Sequence, residues 1–156
     1  MAIGLKEGDT APDFDMNSTD GPLTLSGLGD TLVVLYFYPK DDTPGCTTEA
    51  KDFSDLAAKF RKAGAVVVGV SKDTMARHEK FASKHDLNVV LASDEDGAVC
   101  EAYGVWVQKK LYGREYMGIE RATFLIGRDK KVIRIWPKVR VKGHAEEVLE
   151  AVKAAS

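Results

Sequence analysis

A chain of 156 residues with 22 basic and 24 acidic side chains carries a formal charge of −2. That length is expected to make one domain over residues 1–156, with room for a sizeable core that needs no disulfide or metal staples. The near-neutral balance argues against nucleic acid as a partner, and two cysteines are too few for a secreted disulfide framework. Met1 to Glu7 lacks a basic stretch followed by an apolar run, so no signal peptide is expected. The longest apolar run, Leu32 to Tyr38, is far short of a membrane span. The expectation is a cytoplasmic protein with no membrane partner.

Turn signals at Ala11-Pro12, Asp20-Gly21-Pro22 and Gly27 bracket two short alternating stretches, Phe14/Met16 and Leu23/Leu25. These predict an N-terminal β-hairpin in front of the core. Leu32 to Tyr38 reads as a fully buried strand, ended by Pro39. A polar turn leads to Pro44-Gly45-Cys46, the opening of an amphipathic helix. Its apolar positions Phe53, Leu56, Ala57 and Phe60 stand at i, i+3, i+4 and i+7, and it should stop near Gly64. Ala65 to Val70 is a second buried strand, so strand, helix and strand imply a right-handed βαβ unit with parallel strands.

A second helix is predicted over about 74–84 and a short strand over 88–91. Ser93-Asp94-Glu95-Asp96 resembles an N-cap box for a short helix ending before Gly104. Residues 105–120 are the least periodic part and read as a long loop, with Lys109, Lys110 and Arg114 as a solvated basic face. Ala122 to Ile126 and Val132 to Trp136, joined by Gly127-Arg128-Asp129-Lys130, predict an antiparallel hairpin. Ala145, Val148, Leu149 and Val152 mark a final helix. The sum is an α/β sandwich, a mixed central sheet with helices on both faces. Element order alone leaves thioredoxin-like and flavodoxin-like sheets open.

Cys46 stands where a buried strand passes into a helix. The first helical turn presents unpaired N–H groups and the positive end of the dipole. Both favour a thiolate and lower a thiol pKa. The competing reading is a small apolar residue under a helix start. Pro39, Thr43 and Cys46 form Pro-x-x-x-Thr-x-x-Cys within Phe37-Tyr38-Pro39-Lys40-Asp41 and Thr43-Pro44-Gly45-Cys46-Thr47-Thr48-Glu49-Ala50. This text resembles the peroxidatic motif of the peroxiredoxins, in the branch called Q-type or bacterioferritin comigratory proteins. The resemblance runs from about Gly8 to the C-terminus.

The resemblance implies a thioredoxin-like fold and a thiol peroxidase acting on hydrogen peroxide and organic hydroperoxides, without a cofactor. Cys46 takes the role of nucleophile, Thr43 binds the peroxide through its hydroxyl, and Pro39 shields the sulfur. Backbone N–H groups near Gly45 and Cys46 would form an anion hole. Gly118-Ile119-Glu120-Arg121-Ala122-Thr123-Phe124-Leu125-Ile126 resembles the segment carrying the family's arginine, which points to Arg121. Its guanidinium stays charged at working pH. Glu49 is a supporting residue one turn after Cys46.

The sequence departs from the branch at Lys51, where many members carry a resolving cysteine. Residues 74–86 hold none either. Cys100 shares a helical face with Asp96, Val99 and Tyr103 and reads as a buried structural thiol, with a resolving role as the alternative. A one-cysteine cycle is therefore expected. Thioredoxin, glutaredoxin or a low-molecular-weight thiol would be the reductant, acting on a monomer, with a dimer left open. A non-enzymatic thiol sensor on the same fold is the second reading. His78 and His85 stand at i, i+7 without a third ligand near in sequence, so no metal site is expected there.

Overall fold

The computed structural model describes residues 4–156. Met1 to Ile3, which open the stretch read above for a signal peptide and the expected domain, lie outside the described residues. β1 (Asp15–Ser18) and β2 (Gly21–Thr24) form the expected hairpin, with Met16 opposite Leu23. β3 (Leu32–Phe37) is buried at every position. It leads into α1 (Pro44–Asp55), α2 (Ala57–Lys62) and β4 (Ala65–Ser71). The helix expected as one piece breaks at Leu56, yet Phe53, Ala57 and Phe60 still fall on one buried stripe. Gly64, at φ +86°, turns the chain out of α2, a conformation open to glycine. Its carbonyl then accepts bonds from the Leu32 N–H and the Thr31 hydroxyl.

α3 (Met75–His85), β5 (Val90–Ser93) and α4 (Ala98–Ala102) follow. β8 (Ala122–Ile126), β9 (Val132–Trp136) and α5 (His144–Ala155) complete the main body. Two expectations are corrected between these elements. Residues 105–120 are not a loop but a two-stranded antiparallel ribbon, β6 (Trp106–Leu111) and β7 (Arg114–Ile119), outside the main sheet. Both of its faces are largely exposed, so no period-2 apolar signal marks it. Ser93 does not cap α4 either. It ends β5, and its hydroxyl donates to the Asp73 carbonyl. The cap comes from Asp94, whose carboxylate accepts from the N–H groups of Val99 and Cys100.

The main sheet runs β2-β1-β5-β4-β3-β8-β9 and is mixed. β3 pairs in parallel with β4 and antiparallel with β8, as a thioredoxin-like sandwich requires. Alternation along β3 divides the core. Val33, Leu35 and Phe37 face one side with α4 and the N-terminal hairpin. Val34, Tyr36 and Tyr38 face the other, with α1, α2, α3 and α5. Helices thus lie on both faces, four of the five α-helices among the described residues on one of them. Phe37 pairs with Ala122. Arg121, one residue before β8, is therefore delivered beside the end of β3, where the loop to Cys46 begins.

Candidate active site

Pro44 occupies the first turn of α1, where its missing N–H removes nothing. Thr43 is the N-cap residue by position, but its side chain caps nothing. Its hydroxyl instead donates to the Lys40 carbonyl at 2.9 Å. Among the described residues the N–H groups of Gly45 and Cys46 have no acceptor and so stay available as donors. Because the Thr43 proton is committed to Lys40, the oxygen's lone pairs remain free to accept from a protonated ligand.

Cys46 is buried, at 2% exposure, and joined in no disulfide among the described residues. Arg121 Nη2 donates to its sulfur at 3.3 Å, and Arg121 Nη1 donates to Glu49 Oε1 at 2.6 Å. The Arg121 pKa is held above its ordinary value. Burial works against the charge, and the negative charge of Glu49 and Cys46 outweighs burial. Glu49 is raised to about 7, because burial outweighs its pairing with Arg121. Gly45 makes the close approach possible: a Cβ there would stand 3.3 Å from Arg121 Nη2. Pro39 follows the end of β3 and is exposed, so any shielding by it depends on its place in the loop rather than on burial.

The structure thus brings Thr43, Gly45, Cys46, Glu49 and Arg121 together. Lys51 is exposed on α1. Cys100 is fully buried in the core on the opposite face of the sheet from Cys46. Burial, and then the Asp94 carboxylate, push its thiol far above the ordinary range. Lys109 departs from the solvated face expected for it. The β6–β7 ribbon leaves it half-buried, and burial lowers its pKa even though Glu120 and Cys46 favour the charge. His78 and His85 were legible as a helical pair but not in their partners, the consecutive Asp41 and Asp42 of the loop.

Residues 7–135 match the AhpC/TSA family. The chain belongs to that family, on its peroxiredoxin Q, or Bcp, branch. It is 47% identical over 150 residues to peroxiredoxin Bcp of Bacillus subtilis strain 168, covering 96% of each chain. It is 41% identical to peroxiredoxin Bcp of Escherichia coli K12, again covering 96% of each. Peroxiredoxin Q of Xanthomonas campestris superposes with a TM-score of 0.88 at 42% identity, over 97% of each chain. A structure of the bacterioferritin comigratory protein from the same organism, described in terms of its alkyl peroxide reduction activity, matches with the same score and identity over 97% of this chain and 98% of that one. No helix among the described residues is long and apolar enough to cross a membrane.

Proposed function

We propose that this peroxiredoxin reduces hydrogen peroxide and organic hydroperoxides by attack of the Cys46 thiolate on the O–O bond. The observation that carries the reading is Arg121, held by Glu49 and donating to the Cys46 sulfur at the unpaired end of α1. The sulfur gives an electron pair to one peroxide oxygen, the O–O bond breaks, and the other oxygen leaves as alkoxide or hydroxide. One proton then converts it to alcohol or water, and Cys46 is left as sulfenic acid. Arg121 and the N–H groups of Gly45 and Cys46 lie where negative charge develops, and donors fixed in advance lower such a barrier most. Thr43 accepts from the peroxide's O–H and so orients it.

Recycling is a one-cysteine cycle in this reading. An external thiol attacks the sulfenic acid, water leaves, and a second thiol releases Cys46 from the mixed disulfide. Lys51 in place of a cysteine and the burial of Cys100 across the sheet support it. Two free cysteines suit a reducing, cytoplasmic setting, and the protein acts as a monomer. The test is continuous peroxide consumption with thioredoxin, glutaredoxin or a small thiol. Many turnovers per chain are expected, and loss of all of them in Cys46→Ser. A single equivalent consumed with every reductant would instead make the protein a thiol sensor.

A further inference from the structure

Beneath the loop that precedes Cys46 lies a buried polar cluster with no place in the reaction above. Asp41 is 3% exposed and His78 is not exposed at all. The Tyr38 hydroxyl donates to Asp41 Oδ1 at 2.5 Å, and His78 Nδ1 meets Asp41 Oδ2 at 2.7 Å. His78 Nε2 lies 2.9 Å from the Ala92 carbonyl, and a carbonyl can only accept, so this nitrogen carries a proton. Asp73 stands alongside. Its Oδ2 accepts from the Asp41 N–H at 2.8 Å and from the Ser71 hydroxyl at 2.6 Å, while Arg77 pairs with its Oδ1 at 3.2 Å. The oxygens and nitrogen that would face a metal ion are thus engaged with one another.

The position of the Asp41 N–H gives the cluster a direction. It belongs to the same peptide unit as the Lys40 carbonyl, and a peptide unit is planar and stiff. One edge of that plane is held by Asp73 and the other receives the Thr43 hydroxyl proton. Turning the plane would redirect that proton, and with it the lone pairs left for peroxide. Asp42, the next residue, sits at φ +60° and is held by Lys84 and His85 of α3. The loop is thus fastened at successive residues to Asp73, between β4 and α3, and to α3 itself.

We propose that Asp73 and His78 are positioning residues for peroxide reduction, setting the direction of the Thr43 hydroxyl through the Lys40–Asp41 peptide plane. The proposal rests on the peroxidase reading, since it concerns how Thr43 meets the peroxide. Neither residue touches the reacting atoms.

The test compares two reactions of one sulfur. Peroxide attack needs Thr43, whereas alkylation of Cys46 by iodoacetamide does not. In Asp73→Ala and His78→Ala, Cys46 oxidation by peroxide should slow about 10- to 100-fold, the usual consequence of a misplacement of about 1 Å. Alkylation should stay within about two-fold of the parent. Asp41→Asn supplies an N–H to a neutral His78 and keeps an oxygen for Tyr38, so it should retain a near-parental peroxide rate. In a Thr43→Val background, Asp73→Ala should add almost nothing, because the group it orients is gone. If Asp73→Ala does not fold, Ser71→Ala loosens the same carboxylate and should give a smaller loss confined to the peroxide reaction. A parental peroxide rate in the folded Asp73 or Ser71 variant overturns the proposal. So does an equal loss in both reactions, or a full additional loss in the Thr43→Val background. A parent protein whose Cys46 ignores peroxide would instead overturn the peroxidase reading itself.

Discussion

The two cysteines occupy the same helical position and face opposite chemistry. Cys46 is the third residue of α1 and Cys100 the third of α4. Both are buried, one on each side of the sheet. At α1 the cap side chain turns away to Lys40, the Gly45 and Cys46 N–H groups have no acceptor among the described residues, and a guanidinium reaches the sulfur. At α4 the Asp94 carboxylate takes the N–H groups of both Val99 and Cys100, at 3.1 and 2.8 Å. That places negative charge beside the Cys100 thiol and joins burial in pushing it up. A helix start therefore does not by itself set what a cysteine there meets. What decides is whether a capping carboxylate or an incoming cation takes the free end.

Cys46→Ser should break the comparison outright. Peroxide consumption is expected to fall below about 1% of the parent, since no other thiolate is poised to attack. Retention of more than a few per cent of turnover would remove Cys46 as nucleophile. Arg121→Met makes the α1 site more like the α4 one, with a buried sulfur lacking its cation. The peroxide step should slow by about 10²-fold, the scale seen when one preorganised donor is lost. Stopped-flow oxidation of Cys46 reads it, and an unchanged rate would take Arg121 out of the site.

Glu49 sharpens the comparison through pH. Its folded value of about 7 lies above its ordinary one, so the folded state holds a proton that the unfolded chain releases between about pH 4.5 and 7. The stability that this proton contributes is fully present below that window and lost as pH rises through 7. The rise from the ordinary 4.5 to about 7 bounds the effect at about 3 kcal/mol. Glu49→Gln does not titrate, so urea melts of the parent should lose ground to it between pH 5 and pH 8. His144 works the other way. Its burial lowers it to about 4, and its contribution is lost as pH falls from 6.5 towards 4. Taking the difference between parent and Glu49→Gln cancels it. A difference that grows on acidification would contradict the placement of Glu49.

Asp94→Ala tests the other helix. It strips two N–H groups of their acceptor and should destabilise the protein by about 1–2 kcal/mol in urea, while peroxide reduction persists in the folded fraction. A loss of activity larger than the loss of folded protein would tie α4 to the reaction.

Much of this was legible in the sequence, and each exception has its own physical cause. Strands β3, β4, β8 and β9 and helix α5 announce themselves because their apolar patterns reflect burial against the faces of the main sheet. The Thr43, Cys46 and Arg121 set was legible from its text. The β6–β7 ribbon was not, because a two-stranded element exposed on both sides carries no apolar alternation. Ser93 and Asp94 both suit a cap, so the sequence leaves the choice between them open, and the bonds from the Val99 and Cys100 N–H groups settle it for Asp94. The histidine pair was read without its partners because Asp41 and Asp42 lie 37 and 43 residues away in the chain. Only tertiary contact reveals that α3 holds the loop.

The smallest expected effect is the one most telling about recycling. Cys100→Ser should keep most steady-state turnover with thioredoxin and with a small thiol, because the wild-type sulfur has no route to Cys46 in the folded protein. It would have to leave the core on one face of the sheet and cross to the other. α4 would also have to unwind from the Asp94 cap and the bond between the Tyr103 hydroxyl and the Pro12 carbonyl. A separation of 54 positions does not forbid this, since loop length adds little to the entropy of closure. The packing does. Loss in the variant should be confined to stability, a fraction of a kcal/mol to about 1 kcal/mol for one buried thiol replaced by a hydroxyl. Without a fast internal partner the Cys46 sulfenic acid should also persist, and the parent should over-oxidise readily at high peroxide. Mass spectrometry under non-reducing conditions after one equivalent of peroxide reads both points, as a sulfenic acid or a mixed disulfide with added thiol. If Cys100→Ser stops after that first equivalent with both reductants, Cys100 resolves the sulfenic acid, and the sheet between the two cysteines opens during turnover.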